Sequence, residues 1–377
     1  MVNQDILFKA LREMGIHFFT GVPDSLLNDF CLYLCNHCSA EQHVMAANEG
    51  NAIAVASGHY MATGSIPLVY MQNSGIGNAT NPLLSLAHPS VYSIPMILVI
   101  GWRGDPSLKD HAQHKKQGEL TPVLMEDMDI PYEILDNEDT VAQKFRWAHS
   151  IAKSTSSPVA LIAKKGILAQ KEKKQSYPSS TLMNREEAIS AVLDVYGSSA
   201  VYLATTGRAT RELHEQLAKH GISHDVEFLN VGAMGHLSSV GLGIALGQPN
   251  RKVVIFDGDA AAVMHMGSLA TIGRYQPKNL IHIVLNNGVN ESVGGQQSAG
   301  QLIDLTAIAR ACGYHTISSY TDNMEELQST VKDFSRMDKP CFVDIHVRQG
   351  IRNDMPKLEV KHKELLTALI KNIKDHS

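Results

Sequence analysis

A chain of 377 residues with 33 basic and 38 acidic side chains, a net charge of −5 and 44% hydrophobic residues has room for about two domains, each with a full core. The charges are interspersed, so composition offers no electrostatic footprint for nucleic acid or an anionic membrane. The longest apolar runs, such as PMILVIGW (95–102), fall far short of the roughly 20 residues of a membrane span, and five cysteines with no signal-like segment ahead of them point to a reducing cytoplasm and a small-molecule partner.

In chain order, the first half alternates apolar runs with amphipathic segments. The runs HFFTGV (17–22), HVMAA (43–47), IPLVYMQ (66–72), PMILVIG (95–101), YEIL (132–135) and PVALIA (158–163) predict strands. Helices are expected over SLLNDFCLYLC (25–35), GNAIAVASGHYMA (50–62) and TVAQKFRWAHSIAK (140–153). In CLYLCNHC, Cys31, Cys35 and Cys38 interleave with Leu27, Phe30 and Leu34 at helical spacing. That favours packing over a zinc knuckle, which wants loop-borne pairs with a second pair elsewhere.

A polar, Lys-rich, Pro-containing stretch, KKGILAQKEKKQSYPSST (164–181), then reads as a connection. Beyond it the scheme repeats with AVYLATT (200–206), VEFLNVG (226–232), KVVIFDG (252–258), LIHIVLNN (280–287), HTISS (315–319) and CFVDIHV (341–347). Strands alternating with helices predict parallel sheets with helices on both faces. Such sheets gather ligands beyond the carboxyl ends of their strands. There this chain carries Asp24, Glu49, NSGIGN (73–78), GWRG (101–104), TTGR (205–208), GAMGH (232–236), DGDA (257–260) and NNGVNES (286–292).

Between Asp259 and the Asn286-Asn287 pair lie one expected helix, AAVMHMGSLATIGRY (261–275), and one strand, so the two strand ends should be neighbours. Asp259 and Asn287 would then offer hard oxygen ligands to one point, which suits Mg²⁺ with ligand phosphates. The helix start after Asp259 offers N–H groups to an anion. Taken alone, the two acids could equally be turn and N-cap residues.

Gly258-Asp259-Ala260 followed by Asn286-Asn287 resembles the signature of thiamine diphosphate (ThDP)-dependent enzymes, with Ala260 in place of a glycine. AANEGNAIAVASGHYMATG (46–64), VGAMGHLSSVGLGIALG (231–247), TGVPDSLL (20–27) and GGQ (294–296) are similar to further segments of the decarboxylases of that family, in the short form without a middle domain.

The resemblance implies two doubly wound parallel-sheet α/β domains, pyrimidine-binding over 1–170 and diphosphate-binding over 182–377, joined by a linker at 171–181. It implies ThDP and Mg²⁺ as cofactors, with Asp259, Asn287 and the Val289 carbonyl as metal ligands and Asp257 only their neighbour. Glu49 would be the catalytic acid beside the pyrimidine ring. Asn73, Gly75, Gly232, Met234, Gly258 and Ala260 would complete the cofactor site, with Met234 as the wedge beneath it.

The thiazolium would serve as electron sink for loss of CO₂ from a 2-oxo acid. Asp24, His111 and His114 are the proton-transfer or orienting candidates. A substrate with a phosphonate as well as a carboxylate would need cations that fork onto oxyanions; Arg103, Lys109, Arg208 and Arg211 are available, with Ser25 beside Asp24. A sulfonate analogue is the close alternative substrate, and a non-catalytic protein holding Mg²⁺ and a diphosphate the remote one. The resemblance also implies a homo-oligomer in which Glu49 of one subunit and Asp259 of another serve one cofactor.

Overall fold

The computed structural model describes residues 2–168, 180–317, 319–356 and 358–375. The chain divides into two compact units, Met1–Gln175 with Ser292–Gln296, and Ser176–Glu291 with Gln297–Ser377. Of the expected linker 171–181, only Ser180 and Thr181 fall among the described residues. At the amino end of that Lys-rich stretch, Leu168 is buried in the first unit and its carbonyl accepts from Gln4 Nε2 (2.8 Å).

The first unit is built on a six-stranded parallel sheet in the order β2-β1-β3-β4-β6-β5. Its strands are β1 (Phe19–Gly21), β2 (His43–Met45), β3 (Leu68–Gln72), β4 (Met96–Gly101), β5 (Tyr132–Leu135) and β6 (Pro158–Ala163). Around it lie α1 (Gln4–Glu13), α2 (Asn28–His37), α3 (Glu49–Thr63), α4 (Ile76–Pro82), α5 (Ala112–Asp127) and α6 (Val141–Thr155).

The strands read as unbroken apolar runs because both faces are covered. Side chains still alternate between faces. Ile97, Val99, Val159 and Leu161 pack with Phe145 of α6 and Phe30 of α2, whereas Met96, Leu98, Ile100 and Ile162 pack with Ile53 of α3 and Met125 of α5. Each such fully buried side chain contributes about 1.5–3 kcal/mol. Cys31 faces the first of these cores and no described cysteine forms a disulfide.

The second unit repeats the plan with a five-stranded parallel sheet, β13-β10-β9-β7-β8. Its strands are β7 (Val201–Ala204), β8 (Glu227–Leu229), β9 (Val253–Gly258), β10 (Leu280–Asn286) and, after the two-residue strands β11 (Val289–Asn290) and β12 (Gln296–Gln297), β13 (Cys341–His346). The helices are α7 (Arg185–Tyr196), α8 (Arg208–Lys219), α9 (Leu237–Gly247), α10 (Asp259–Met264), α11 (Gly267–Tyr275), α12 (Leu305–Ala311), α13 (Met324–Phe334) and α14 (His362–Asp375). Val254 and Phe256 of β9 face the layer of α7, α8 and α13, and Val253 and Ile255 face that of α9, α11 and α12.

Three expectations need correction. HTISS forms no named strand among the described residues; His315 and Thr321 make single bridges to Cys341 and Ile345, and β13 pairs directly with β10. The helix expected over 261–275 is two helices, broken where His265 leaves helical geometry (φ −129°, ψ 46°) ahead of Gly267. The helix expected from Ser25 begins at Asn28, because Asp24 and Ser25 form the turn that precedes it.

Candidate active site

In the first unit, the carboxyl ends of the adjacent strands β2, β1, β3 and β4 carry the predicted polar residues. Glu49 opens α3, where a carboxylate suits the helix dipole, and Asn48 caps the helix by accepting from Asn51 N (2.9 Å). Glu49 is buried, and its Oε2 accepts from Asn78 Nδ2 (2.7 Å). Its other oxygen faces Gly75, where a Cβ would collide with the carboxylate. The glycine thus keeps open the space that the carboxylate occupies. Gly75→Ala is expected to displace Glu49 and lower turnover on the order of tenfold to a hundredfold, the scale of a misplaced reacting group, with an unchanged circular-dichroism spectrum as the control.

Asp24 is fully buried at the end of β1. Its Oδ1 accepts from Gln72 Nε2 (2.6 Å) and its Oδ2 from Leu26 N (3.2 Å). Burial pushes its pKa up, and the Gln72 bond and the Arg103 charge only partly oppose that. Asp24 is therefore suited to holding a proton. Gln72, at the last position of β3, is a member of this cluster that the strand reading passed over as part of an apolar run.

Arg103 is closely engaged. Its Nε and Nη2 donate to Asp110 (2.8 and 2.6 Å) and its Nη1 to Ser25 Oγ (3.0 Å). Burial opposes ionisation of Asp110, but Arg103 and the N–H groups of His111 and Gly104 hold its carboxyl well below the usual range. The fork expected to meet an oxyanion is thus held by Asp110, and the Nη1 edge is the part shared with Ser25. Asn73 is likewise occupied: it donates to the Arg103 carbonyl (2.7 Å) and Thr121 Oγ1 (2.9 Å) and accepts from Arg103 N (3.2 Å). The register Gln72↔Gly101 sets these turns side by side. Lys109 and His111 are exposed. His114 is half-buried, its ring centroid 6.5 Å from that of His111, and burial and the nearby Arg103 lower its pKa to about 4, so it is neutral near pH 7.

In the second unit, the register Leu285↔Gly258 places the next residues, Asn286 and Asp259, at neighbouring strand ends. Asp259 is buried in the first turn of α10, and burial raises its pKa to about 6 although Ser298 Oγ donates to its Oδ2. Gly300 packs so closely on Asp259 that a Cβ there would clash with its side chain. The Gly300 carbonyl accepts from Asn286 Nδ2 (3.0 Å), so the turn 298–300 holds both strand ends. Asp257 turns elsewhere, accepting from Gly258 N (3.0 Å) and lying 3.4 Å from His282 Nε2.

Asn287 Nδ2 donates to Glu291 Oε2 (3.1 Å), and its Oδ1 accepts from Val289 N (3.2 Å), closing the turn that carries the Val289 carbonyl. Glu291 belongs to a buried network that the sequence reading missed. Arg185 reaches it through Nη1 (2.8 Å) while holding Glu212 bidentately (2.7 and 2.9 Å), and Arg208 reaches it at 2.7 Å. Arg208, expected near the substrate, is therefore in contact with the group that orients Asn287. Arg211 is exposed. No local pattern could reveal this network, since Arg185 and Glu291 lie 106 residues apart.

A buried carboxyl that is costly to ionise, an amide oxygen and a backbone carbonyl form an all-oxygen donor set that fits a hard divalent cation. Gly258 has φ −100°, open to any residue, and a Cβ there would find its nearest neighbour at 3.7 Å. Its smallness thus serves no contact among the described residues. Ala260 follows in the first turn of α10. Gly232 is exposed with its carbonyl accepting from Met234 N (3.0 Å), and Met234 is half-buried.

Residues 1–125 match the family model for the N-terminal thiamine pyrophosphate (TPP) binding domain of TPP enzymes, and residues 196–345 match that for the C-terminal TPP binding domain. The chain is 32% identical to a phosphonopyruvate decarboxylase of Streptomyces viridochromogenes over 97% of its own length and 93% of the relative's. A phosphonopyruvate decarboxylase of Streptomyces hygroscopicus is 32% identical over 93% of this chain and 88% of the relative. A sulfopyruvate decarboxylase of Methanosarcina acetivorans is 26% identical over 93% and 92%.

Proposed function

The chain belongs to the thiamine pyrophosphate enzyme family, and on that premise we propose that it removes CO₂ from phosphonopyruvate to leave phosphonoacetaldehyde, using ThDP and Mg²⁺. What supports this reading most is the 32% identity to phosphonopyruvate decarboxylase over 97% of the chain.

ThDP, when bound, supplies the sink for the electron pair that CO₂ leaves behind. The remaining work falls to this chain. Glu49, with Oε2 fixed by Asn78 and Oε1 facing the space beside Gly75, holds or takes a proton at the cofactor's pyrimidine ring. Asp259, Asn287 and the Val289 carbonyl would hold Mg²⁺. Gly258 and Ala260 would let the backbone approach the diphosphate, Met234 would support the cofactor, and the Gly232 carbonyl would accept from the cofactor's amino group.

Asp24, whose pKa burial raises, carries the proton that the product carbon requires, with Gln72 orienting it. Ser25 and the Nη1 edge of Arg103 bind the anionic end of the substrate, with Lys109 and His111 on the same β4–α5 connection as Arg103 and His114 in the first turn of α5. The pyrimidine half of one subunit and the diphosphate half of another serve one cofactor, so the active species is a homo-oligomer in the cytoplasm.

Sulfopyruvate is the competing substrate, because it is also a doubly anionic 2-oxo acid of the same length. A side-by-side measurement of kcat/KM should favour phosphonopyruvate by at least about tenfold, the scale of 1.4 kcal/mol in transition-state binding. Preference for sulfopyruvate would reassign the substrate while leaving the chemistry intact.

A further inference from the structure

At the opposite end of the second sheet, His214 of α8, His224 in the 3₁₀ turn before β8 and Glu227 at the first position of β8 converge on one point. Glu227 lies at the amino end of the edge strand, whereas Asp259 and Asn287 follow the carboxyl ends of β9 and β10. We propose that these three residues bind a divalent transition-metal ion of the zinc class, clipping α8 to the edge strand.

The ligand atoms of all three lie within 4.8 Å of one another. His214 Nδ1 and His224 Nδ1 both approach Glu227 Oε1, at 2.6 and 2.9 Å, and the two rings stack with centroids 3.9 Å apart. Glu227 is fully buried, and its second oxygen, Oε2, has no hydrogen-bond partner among the described residues. A carboxylate removed from water at that cost calls for positive charge. Two nitrogens and one carboxylate oxygen form a borderline donor set that suits Zn²⁺, Co²⁺, Ni²⁺ or Cu²⁺ rather than Mg²⁺.

Seating the ion requires the Nδ1–Oε1 separations to open to roughly 3.3 Å, the edge of a tetrahedron with bonds of about 2.0–2.1 Å. The imidazoles, 28% and 37% exposed, can make that movement, and the same movement would open the buried ligand atoms to the ion and to a water as fourth ligand. Without an ion, His214 Nδ1 is hydrogen-bonded to Oε1, whereas His224 Nδ1, though 2.9 Å away, is buried with no hydrogen-bond partner among the described residues.

The test uses the protein loaded with ThDP and saturated with Mg²⁺, titrated with Zn²⁺ by calorimetry and with Co²⁺ by visible absorption. Wild type should take up one equivalent per chain, give a Co²⁺ spectrum typical of nitrogen and oxygen ligation, and melt at a higher temperature with Zn²⁺. His224→Gln and His214→Gln should each weaken uptake by at least about tenfold and abolish the Zn²⁺-dependent thermal shift measured against each variant's own metal-free melting, with turnover unchanged. The partial exposure of both rings makes these variants compatible with folding. Dependence on the histidines separates the site from the thiols of Cys35 and Cys38. Equal Zn²⁺ affinity and stoichiometry in wild type and both variants would overturn the proposal and leave the cluster as two stacked rings beside Glu227, one of them hydrogen-bonded to it.

Discussion

Replacing Glu49 by Gln should lower turnover by about 100- to 10,000-fold, the range general acid–base groups supply, while ThDP binding stays within about tenfold of wild type. The amide matches the carboxylate in size, so the space beside Gly75 remains filled and Asn78 keeps an oxygen to donate to. What the substitution removes is the proton-holding group alone. Exchange of the cofactor's reactive C–H with deuterated solvent reads that loss separately from substrate binding. Wild-type exchange and turnover in Glu49→Gln would remove Glu49 from the chemistry.

The second large effect is expected at Asp259. Outer-sphere partners of a metal already cost 10- to 100-fold in affinity when lost, so deleting a ligand in Asp259→Ala should weaken Mg²⁺-dependent retention of ThDP by at least about 100-fold. The metal-free chain should respond in the opposite sense. A carboxyl whose pKa rises from 3.8 to about 6 binds its proton more tightly when folded. Stability therefore falls as pH rises from about 4 to above 6, and ionised Asp259 costs on the order of 1–3 kcal/mol at pH 7. Asp259→Asn should thus melt higher than wild type at pH 7.5 without cofactor and lower than wild type with ThDP and Mg²⁺ present. A uniform decrease under both conditions would mark Asp259 as purely structural.

Much of the scaffold was legible because each strand is a short apolar run closed by a polar turn. In the first unit every predicted run contains an observed strand, from Phe19–Gly21 to Pro158–Ala163. HTISS failed because contact with the free edge of β13 is reduced to single bridges at His315 and, beyond the run, at Thr321. The break at His265 was hidden because the apolar pattern runs on through it while the backbone turns. Residue types at strand ends could be read, but their partners could not. Arg103 meets Asp110 across a folded-back irregular connection with no repeating pattern, and it meets Ser25, as Arg208 meets Glu291, through turns brought together by the fold rather than by spacing along the chain. Ser298 and Gln72 sit in polar or strand-like stretches that carry no motif, and their approach to Asp259 and Asp24 exists only in the folded chain.

We propose above all that this chain performs ThDP- and Mg²⁺-dependent decarboxylation of a 2-oxo acid. Its most direct test is CO₂ release from phosphonopyruvate by protein stripped of cofactor and metal, then reconstituted with ThDP, Mg²⁺ or both. No release is expected from stripped protein, and full release only when both are returned. Release that is indifferent to ThDP, or none from any 2-oxo acid by the reconstituted protein, would contradict it.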